Sequence, residues 1–335
     1  MGDPGGIGPE LIARCLADAD LRQRARFIVH GSSAALTLAQ ERCGVHAQWF
    51  RASSDATPRT PWSEDAVVLD DERLTDVLSL EAAPSKRAGH ASKQWVESAI
   101  ADAMRVHDDP RRTDAMVTGP ISKEAWGMAG YAWPGHTELL AARTHTKRAC
   151  MVFDSPRLRV ALATVHVPLM DLRNLLTIGR VYDPIDLGHQ ACLELGVTHP
   201  RIAVCGLNPH AGENGRLGDE ETRVIAPAIA MARETGINVH GPFPADTIFR
   251  DAAAGRWDMV VALYHDQGLI PLKLLSGGAA VNWTVGLPIV RTSPDHGTAF
   301  DIAGKGIADP RSMCSAIDLA IRLANARRTS TTATC

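Results

Sequence analysis

The sequence predicts an α/β protein built on mostly parallel strands, and three observations carry that prediction. Short apolar runs of strand length alternate with longer amphipathic stretches, the rhythm of β-α-β units. A length of 335 residues suffices for two cores or one large α/β unit. The composition, 45% hydrophobic with 5% aromatic residues and a net charge of -3, is that of an ordinary globular chain. It has no basic surplus for a nucleic-acid partner. It also has no apolar run near the roughly 20 residues of a membrane span.

The strand candidates are Phe27-Ile28-Val29, Ala66 to Leu69, Ala115 to Thr118, Val160 to Val165, Ile202 to Cys205, Met259 to Leu263 and Ile289-Val290. Helical stretches lie between them at Ser92 to Val106, Ile185 to Leu195, Glu220 to Glu234 and Arg311 to Ala324. Parallel sheets of this kind collect ligands at the carboxyl ends of their strands. His166, His210 and His265 each follow a candidate strand at or just beyond that end, and so does Gly119-Pro120. Ala52 to Glu64 reads as a surface loop and Arg327 to Cys335 as a disordered tail. Seven scattered cysteines without C-x-x-C spacing indicate neither a disulfide framework nor a thiolate zinc site, which suits a reducing cytoplasm.

Gly2-Asp3-Pro4-Gly5-Gly6-Ile7-Gly8-Pro9-Glu10 reads as a strand-to-helix loop, with Pro9 suited to the first helical turn. Such a loop presents free N–H groups to an anion or cofactor. No strand precedes it, so the natural chain is expected to begin upstream of Met1 with one more strand. The start has no basic and apolar signal-peptide regions, and neither secretion nor a membrane anchor is expected.

Imidazole is the commonest ligand for a divalent transition metal, and three copies with an open position make a Lewis-acid site. His166, His210 and His265 lack the i, i+4 spacing of a helical zinc motif, so a metal requires that they converge in the fold. His136 differs, because Thr137-Glu138-Leu139-Leu140 can begin a helix whose N-terminus suits an anion. An exposed imidazole beside a simple cap is the plainer alternative. Lys273 interrupts an apolar run, where its ammonium must reach water or a partner. Arg291 follows Leu287-Pro288-Ile289-Val290 at a candidate strand end, placed to bind phosphate or carboxylate as a fork or to form an ordinary ion pair. Asn282 adds an amide donor. The stretch Asp295 to Gly306 is rich in small residues but is not G-x-G-x-x-G, so the Rossmann fingerprint is absent.

Together Gly2 to Glu10, Thr118-Gly119-Pro120, Gly135-His136-Thr137-Glu138, Gly206 to Glu213, Pro244-Ala245-Asp246-Thr247, Tyr264-His265-Asp266-Gln267-Gly268 and Arg291 to Thr298 resemble the 4-hydroxythreonine-4-phosphate dehydrogenase family of vitamin B6 synthesis. The resemblance runs from Gly2 to about Ala324. The first motif and His296 to Gly306 are also similar to the isopropylmalate and isocitrate dehydrogenase group, whose fold binds NAD without a Rossmann domain.

The resemblance implies two α/β/α domains: a first of 1–127 plus 284–330 with the cofactor loops, and a second of 128–283 with the metal histidines and dimer interface, leaving 331–335 as tail. It implies a homodimer whose active site lies at the interface. A divalent metal (zinc, magnesium or cobalt) falls to His166, His210 and His265, shared between partners. The phosphorylated substrate falls to His136, Thr137, Lys273, Asn282 and Arg291, and NAD or NADP to Gly5, Gly6, Gly8, His296, Gly297, Thr298 and Asp301.

The implied reaction oxidises the C3 hydroxyl of 4-phosphooxy-L-threonine, and the resulting β-keto acid loses carbon dioxide. Asp246, then Asp266, are the candidate bases, and their alternative role is to hydrogen-bond a histidine ligand. Two departures from the family bear on substrate fit: Asn214 stands where a glycine is common, and Gly277-Gly278-Ala279-Ala280 replaces an aromatic-Gly-Arg-Gly stretch. Competing readings are a paralogous dehydrogenase for 4-phospho-threonate or a cyclic cis-diol carboxylate, a metal-dependent hydrolase or aldolase, and a catalytically silent binding protein.

Overall fold

The computed structural model describes residues 1–71 and 81–332. The chain forms two compact units, Met1–Thr146 with Pro288–Ala324, and Lys147–Leu287 with the residues from Asn325 on. The first unit opens with α1 (Gly8–Leu16), α2 (Ala19–Arg24), β1 (Phe27–Gly31), α3 (Ser33–Cys43), β2 (Phe50–Ser53) and β3 (Ala66–Asp70). It continues with α4 (Lys86–Ala103), β4 (Ala115–Val117), α5 (Lys123–Met128) and α6 (His136–Arg143). Strands β1, β3 and β2 form a parallel sheet in that order, with β3 buried along its whole length. Serine side chains start three of the helices: Ser32, Ser85 and Ser122 accept the N–H of Ala35, Ala88 and Ala125. The Ser85 cap explains why α4 begins six residues before the expected Ser92.

The second unit holds β5 (Cys150–Asp154), β6 (Arg159–Leu162), α7 (Leu172–Leu175), α8 (Ile178–Glu194), β7 (Ile202–Cys205), α9 (Ala226–Glu234), β8 (Val239–Phe243), α10 (Ala245–Ala253), β9 (Met259–Ala262), α11 (His265–Ser276) and β10 (Val281–Val285). Its strand order is β10-β5-β6-β9-β7-β8. The β10–β5 and β5–β6 pairs are antiparallel, and β6, β9, β7 and β8 run parallel. Phe153, Val160, Leu162, Val260, Ala262, Leu269 and Leu272 join one buried cluster beneath α11. The chain then returns to the first unit as β11 (Val290–Pro294), parallel to β4, and α12 (Arg311–Thr332).

The α/β class with mostly parallel strands holds. Both expected boundaries move. The first falls after Thr146 rather than after 127, and within the first unit Arg143 of α6 makes a two-pronged ion pair with Glu97 of α4. The second falls after Leu287 rather than after 283, because Val285 still pairs with Cys150. The tail reading is also corrected: α12 remains helical through Thr332, and Arg327 pairs with Glu194. Residues 333–335 lie outside the described residues. Ala52 and Ser53, read as loop, close β2 against Leu69 and Asp70.

Candidate active site

Three consecutive parallel strands of the second unit, β6, β9 and β7, lead at their carboxyl ends to His166, His265 and His210. Ala163 N–H bonds to the Ala262 carbonyl (2.9 Å) and the Thr164 hydroxyl to the Leu263 carbonyl (2.7 Å), so the segment after β6 follows the end of β9. The His166 and His265 rings come to 5.8 Å between centroids. Among the described residues, no three His, Cys, Asp or Glu side chains of one chain gather as a metal site. His210 is on the same edge but outside that pair.

The Tyr264-to-Gly268 motif has a physical account, residue by residue. His265 opens α11. Its Nδ1 is 2.7 Å from the Asp266 carboxylate, so with Nδ1–H donating, Nε2 carries the lone pair. Gln267 ties strand ends together, accepting Leu263 N–H (2.7 Å) and donating to the Gly206 carbonyl (2.8 Å). A Cβ on Gly268 would stand 2.7 Å from Val160 Cγ1, so only glycine lets α11 lie this close to β6. The donor set fits a divalent ion, since two facing imidazoles, one oriented by a carboxylate, have the ligand chemistry such an ion selects. Asp266, read as a candidate base, is hydrogen-bonded to His265 here. Asp246 is exposed in the first turn of α10.

The anion candidates divide between the units. In the first, α6 starts at His136 on an extended Gly135 with no side-chain cap, leaving its first N–H groups to other acceptors. Thr137 follows in the same turn. Arg291 is the second residue of β11 rather than a residue past a strand end, and pairing with Met116 sets it beside Thr118, whose hydroxyl it meets at 2.7 Å. The guanidinium is 2% exposed, and burial pushes its pKa down to about 10, so it stays charged at neutral pH. Burial first, then the nearby Arg291 charge, holds His136 well below the usual histidine range, which keeps it neutral. Its buried Nε2 has no hydrogen-bond partner among the described residues.

In the second unit, Lys273 is exposed on α11. With Ile270 and Leu274 it forms one outward stripe, which explains the cation inside an apolar run. Asn282, paired with Phe153 across β10 and β5, has a buried Oδ1 without a partner among the described residues.

Two of the cofactor candidates, Gly6 and Thr298, meet within the first unit. Ile7 N–H donates to the Thr298 carbonyl (3.0 Å), and a Cβ on Gly6 would touch that oxygen at 2.8 Å. Gly5 and Gly6, with Pro9, Glu10, Arg42 and Lys305, line a cavity of ≈ 290 Å³. Its glycine wall and two cations fit a phosphate-bearing group. Gly8 starts α1, while Asp301 is exposed and His296 places Nδ1 3.1 Å from the Gly297 carbonyl. Sequence reading missed Arg42, which carries no motif signal, and gave Lys305 no role although it lies within the His296 to Gly306 motif.

Known proteins give these features a class. The chain is 44% identical over 98% of its length to a 4-hydroxythreonine-4-phosphate dehydrogenase of Geobacter metallireducens, covering 95% of that protein. It is 42% identical to the D-threonate 4-phosphate dehydrogenase of Salmonella typhimurium, covering 97% of each. A crystal structure of a 4-hydroxythreonine-4-phosphate dehydrogenase from Klebsiella pneumoniae superposes with a TM-score of 0.82, at 41% identity over 97% of this chain and 96% of that one. The chain is therefore an oxidoreductase of the dehydrogenase class. More narrowly, the family described as pyridoxal phosphate biosynthetic protein PdxA matches residues 23–320, and the chain belongs to it.

Proposed function

We propose that this chain oxidises the C3 hydroxyl of 4-phosphooxy-L-threonine with NAD or NADP, assisted by a divalent metal (zinc, magnesium or cobalt). The product, 2-amino-3-oxo-4-phosphooxybutanoate, then loses carbon dioxide to give 3-amino-2-oxopropyl phosphate. The observation that carries the reading is the facing pair His166 and His265 at neighbouring strand ends, with Asp266 on His265. His210, on the next strand of the same edge, supplies the third ligand when a second copy of the chain completes the site. Exposed Met170 (87%) and Leu274 (82%), on the segments that carry the facing pair, support burial of this surface by that copy.

With the metal and the nicotinamide bound, the site has Lewis acidity at the substrate hydroxyl and a hydride acceptor. The chain's own groups do the rest. Arg291 and neutral His136 receive the phosphate, helped by Thr137 and the first N–H groups of α6. Lys273 and Asn282 hold the remaining polar groups of the substrate. Asp246, the carboxylate not engaged by a histidine, takes the hydroxyl proton. Gly5, Gly6, Gly8, His296, Gly297, Thr298 and Asp301 hold the cofactor, with the Arg42 and Lys305 cavity adjoining its phosphates.

A second substrate, D-threonate 4-phosphate, is favoured by the Salmonella relative at nearly equal identity. The two differ in the group at C2, an amine or a hydroxyl. Steady-state NADH formation from both substrates, and from a cyclic cis-diol carboxylate, separates them. The reading expects the highest kcat/KM for 4-phosphooxy-L-threonine. A higher value for D-threonate 4-phosphate reassigns the substrate, and no NADH from any phosphorylated substrate contradicts the reading.

A further inference from the structure

The turn that carries His210 has the least expected backbone in the second unit. His210, Ala211, Gly212, Glu213 and Asn214 have φ values of 52°, 53°, 79°, 44° and 57°. Four of these five residues bear a side chain, and a left-handed run of this kind crowds each Cβ against the next carbonyl. It persists only where its surroundings over-determine it.

One buried carboxylate sits against it, beside the turn's own backbone bonds from Ala211 to Asn208 and from Leu217 to Gly212. Glu221, 6% exposed, begins the π turn Glu221–Ile225 that leads into α9. Its Oε1 accepts the N–H groups of Leu207 (2.8 Å) and Asn208 (2.7 Å), and its Oε2 accepts the Asn208 side-chain amide (2.9 Å). That amide also donates to Glu220 at 2.8 Å. Oε2 lies 2.7 Å from where a Cβ on Gly212 would be, so the turn closes over the carboxylate at its one glycine. The Cβ position of Gly206 is similarly filled, 2.8 Å from Ala211 Cα and 3.2 Å from Glu221 Oε1. The His210 turn is wrapped around Glu221.

We infer that Glu221 is a positioning residue for His210: its carboxylate fixes the left-handed turn and so aims the imidazole at the metal. The inference rests on the proposed role of His210 as a metal ligand. A carboxylate accepting three N–H donors in a buried setting makes strong, directional bonds. Glutamine keeps the shape but turns one acceptor into a donor facing N–H groups. Aspartate keeps the charge one methylene short.

The test is zinc titration of the full chain against a competing chelator, with hydrogen exchange at Leu207 and Asn208. His210→Ala and Glu221→Gln are each expected to weaken zinc binding about tenfold or more. In Glu221→Gln the Leu207 and Asn208 amides exchange faster while Val260 and Val261 of β9 exchange as in the parent. Glu221→Asp falls between, and serves as the reading if the glutamine variant does not fold. Zinc affinity unchanged in both Glu221 variants, alongside a loss in His210→Ala, overturns the positioning role. Unchanged affinity in His210→Ala overturns the ligand role itself, and the inference falls with it.

Discussion

At the residue scale, the two acids proposed as bases part company. Asp266 is engaged by His265, the proposed ligand, at 2.7 Å, whereas Asp246 stands on another helix. Asp266→Asn is therefore expected to lower metal affinity by about tenfold to a hundredfold, read by chelator competition. Asp246→Asn is expected to lower kcat and leave that affinity alone; the reverse pattern would exchange their roles.

Asp3 supplies a pH test. Burial raises its carboxyl from 3.8 to about 6, against the bond from Gly5 N–H. The folded state thus holds a proton that the unfolded state releases, so this stability is complete below 3.8 and is lost as pH rises through about 6. Asp3→Asn should match the parent near pH 4 and exceed it at pH 7 by on the order of 2 kcal/mol, in urea unfolding at each pH.

The residues legible in sequence were those at strand ends, because alternation alone locates a strand's end. Arg42 and Lys305 were not legible, since nothing local to either announces a shared cavity. Asn214, noted as a departure from a family glycine, proves mild: at φ 57° asparagine is the side chain that best tolerates a glycine's position.

At the element scale, α11 carries three of the proposed site residues, with His265 at its start, Asp266 behind it and Lys273 on its outer stripe. Its seat depends on Gly268. Gly268→Ala should cost about 1–3 kcal/mol and displace His265, so zinc affinity and denaturant midpoint fall together. A variant as stable as the parent would show that the helix has room to shift. This helix was not among those read from the sequence, where its apolar residues looked like one run and its lysine out of place until the outward stripe was known.

The short antiparallel strands β5 and β10 escaped detection, as did β8. Five residues set no clear period, and their pairing partners are distant in sequence. The His210 turn was equally invisible, because its left-handed backbone is imposed by Glu221 from a later element.

At the scale of the whole molecule, alternating strands and helices announced the α/β class, and motif resemblance announced the family. The unit boundaries were less legible, because where 128–146 belongs depends on contacts with segments distant in sequence, such as α4, which Arg143 reaches at Glu97. Ile270 and Leu274 are 66% and 82% exposed on α11, a large apolar surface for a free chain to leave in water. Ile270→Glu with Leu274→Glu should convert a dimer to a monomer in sedimentation velocity and weaken zinc binding, since the proposed third ligand is lost. A dimer that persists with full affinity would place the interface elsewhere.

The proposed oxidation on strand-end histidines depends on a divalent metal. NADH formation from 4-phosphooxy-L-threonine, followed through chelation and metal return in one sample, tests it most directly. NADH formation is expected to stop on chelation and to resume with zinc, magnesium or cobalt. An unchanged rate after full removal of metal would contradict it.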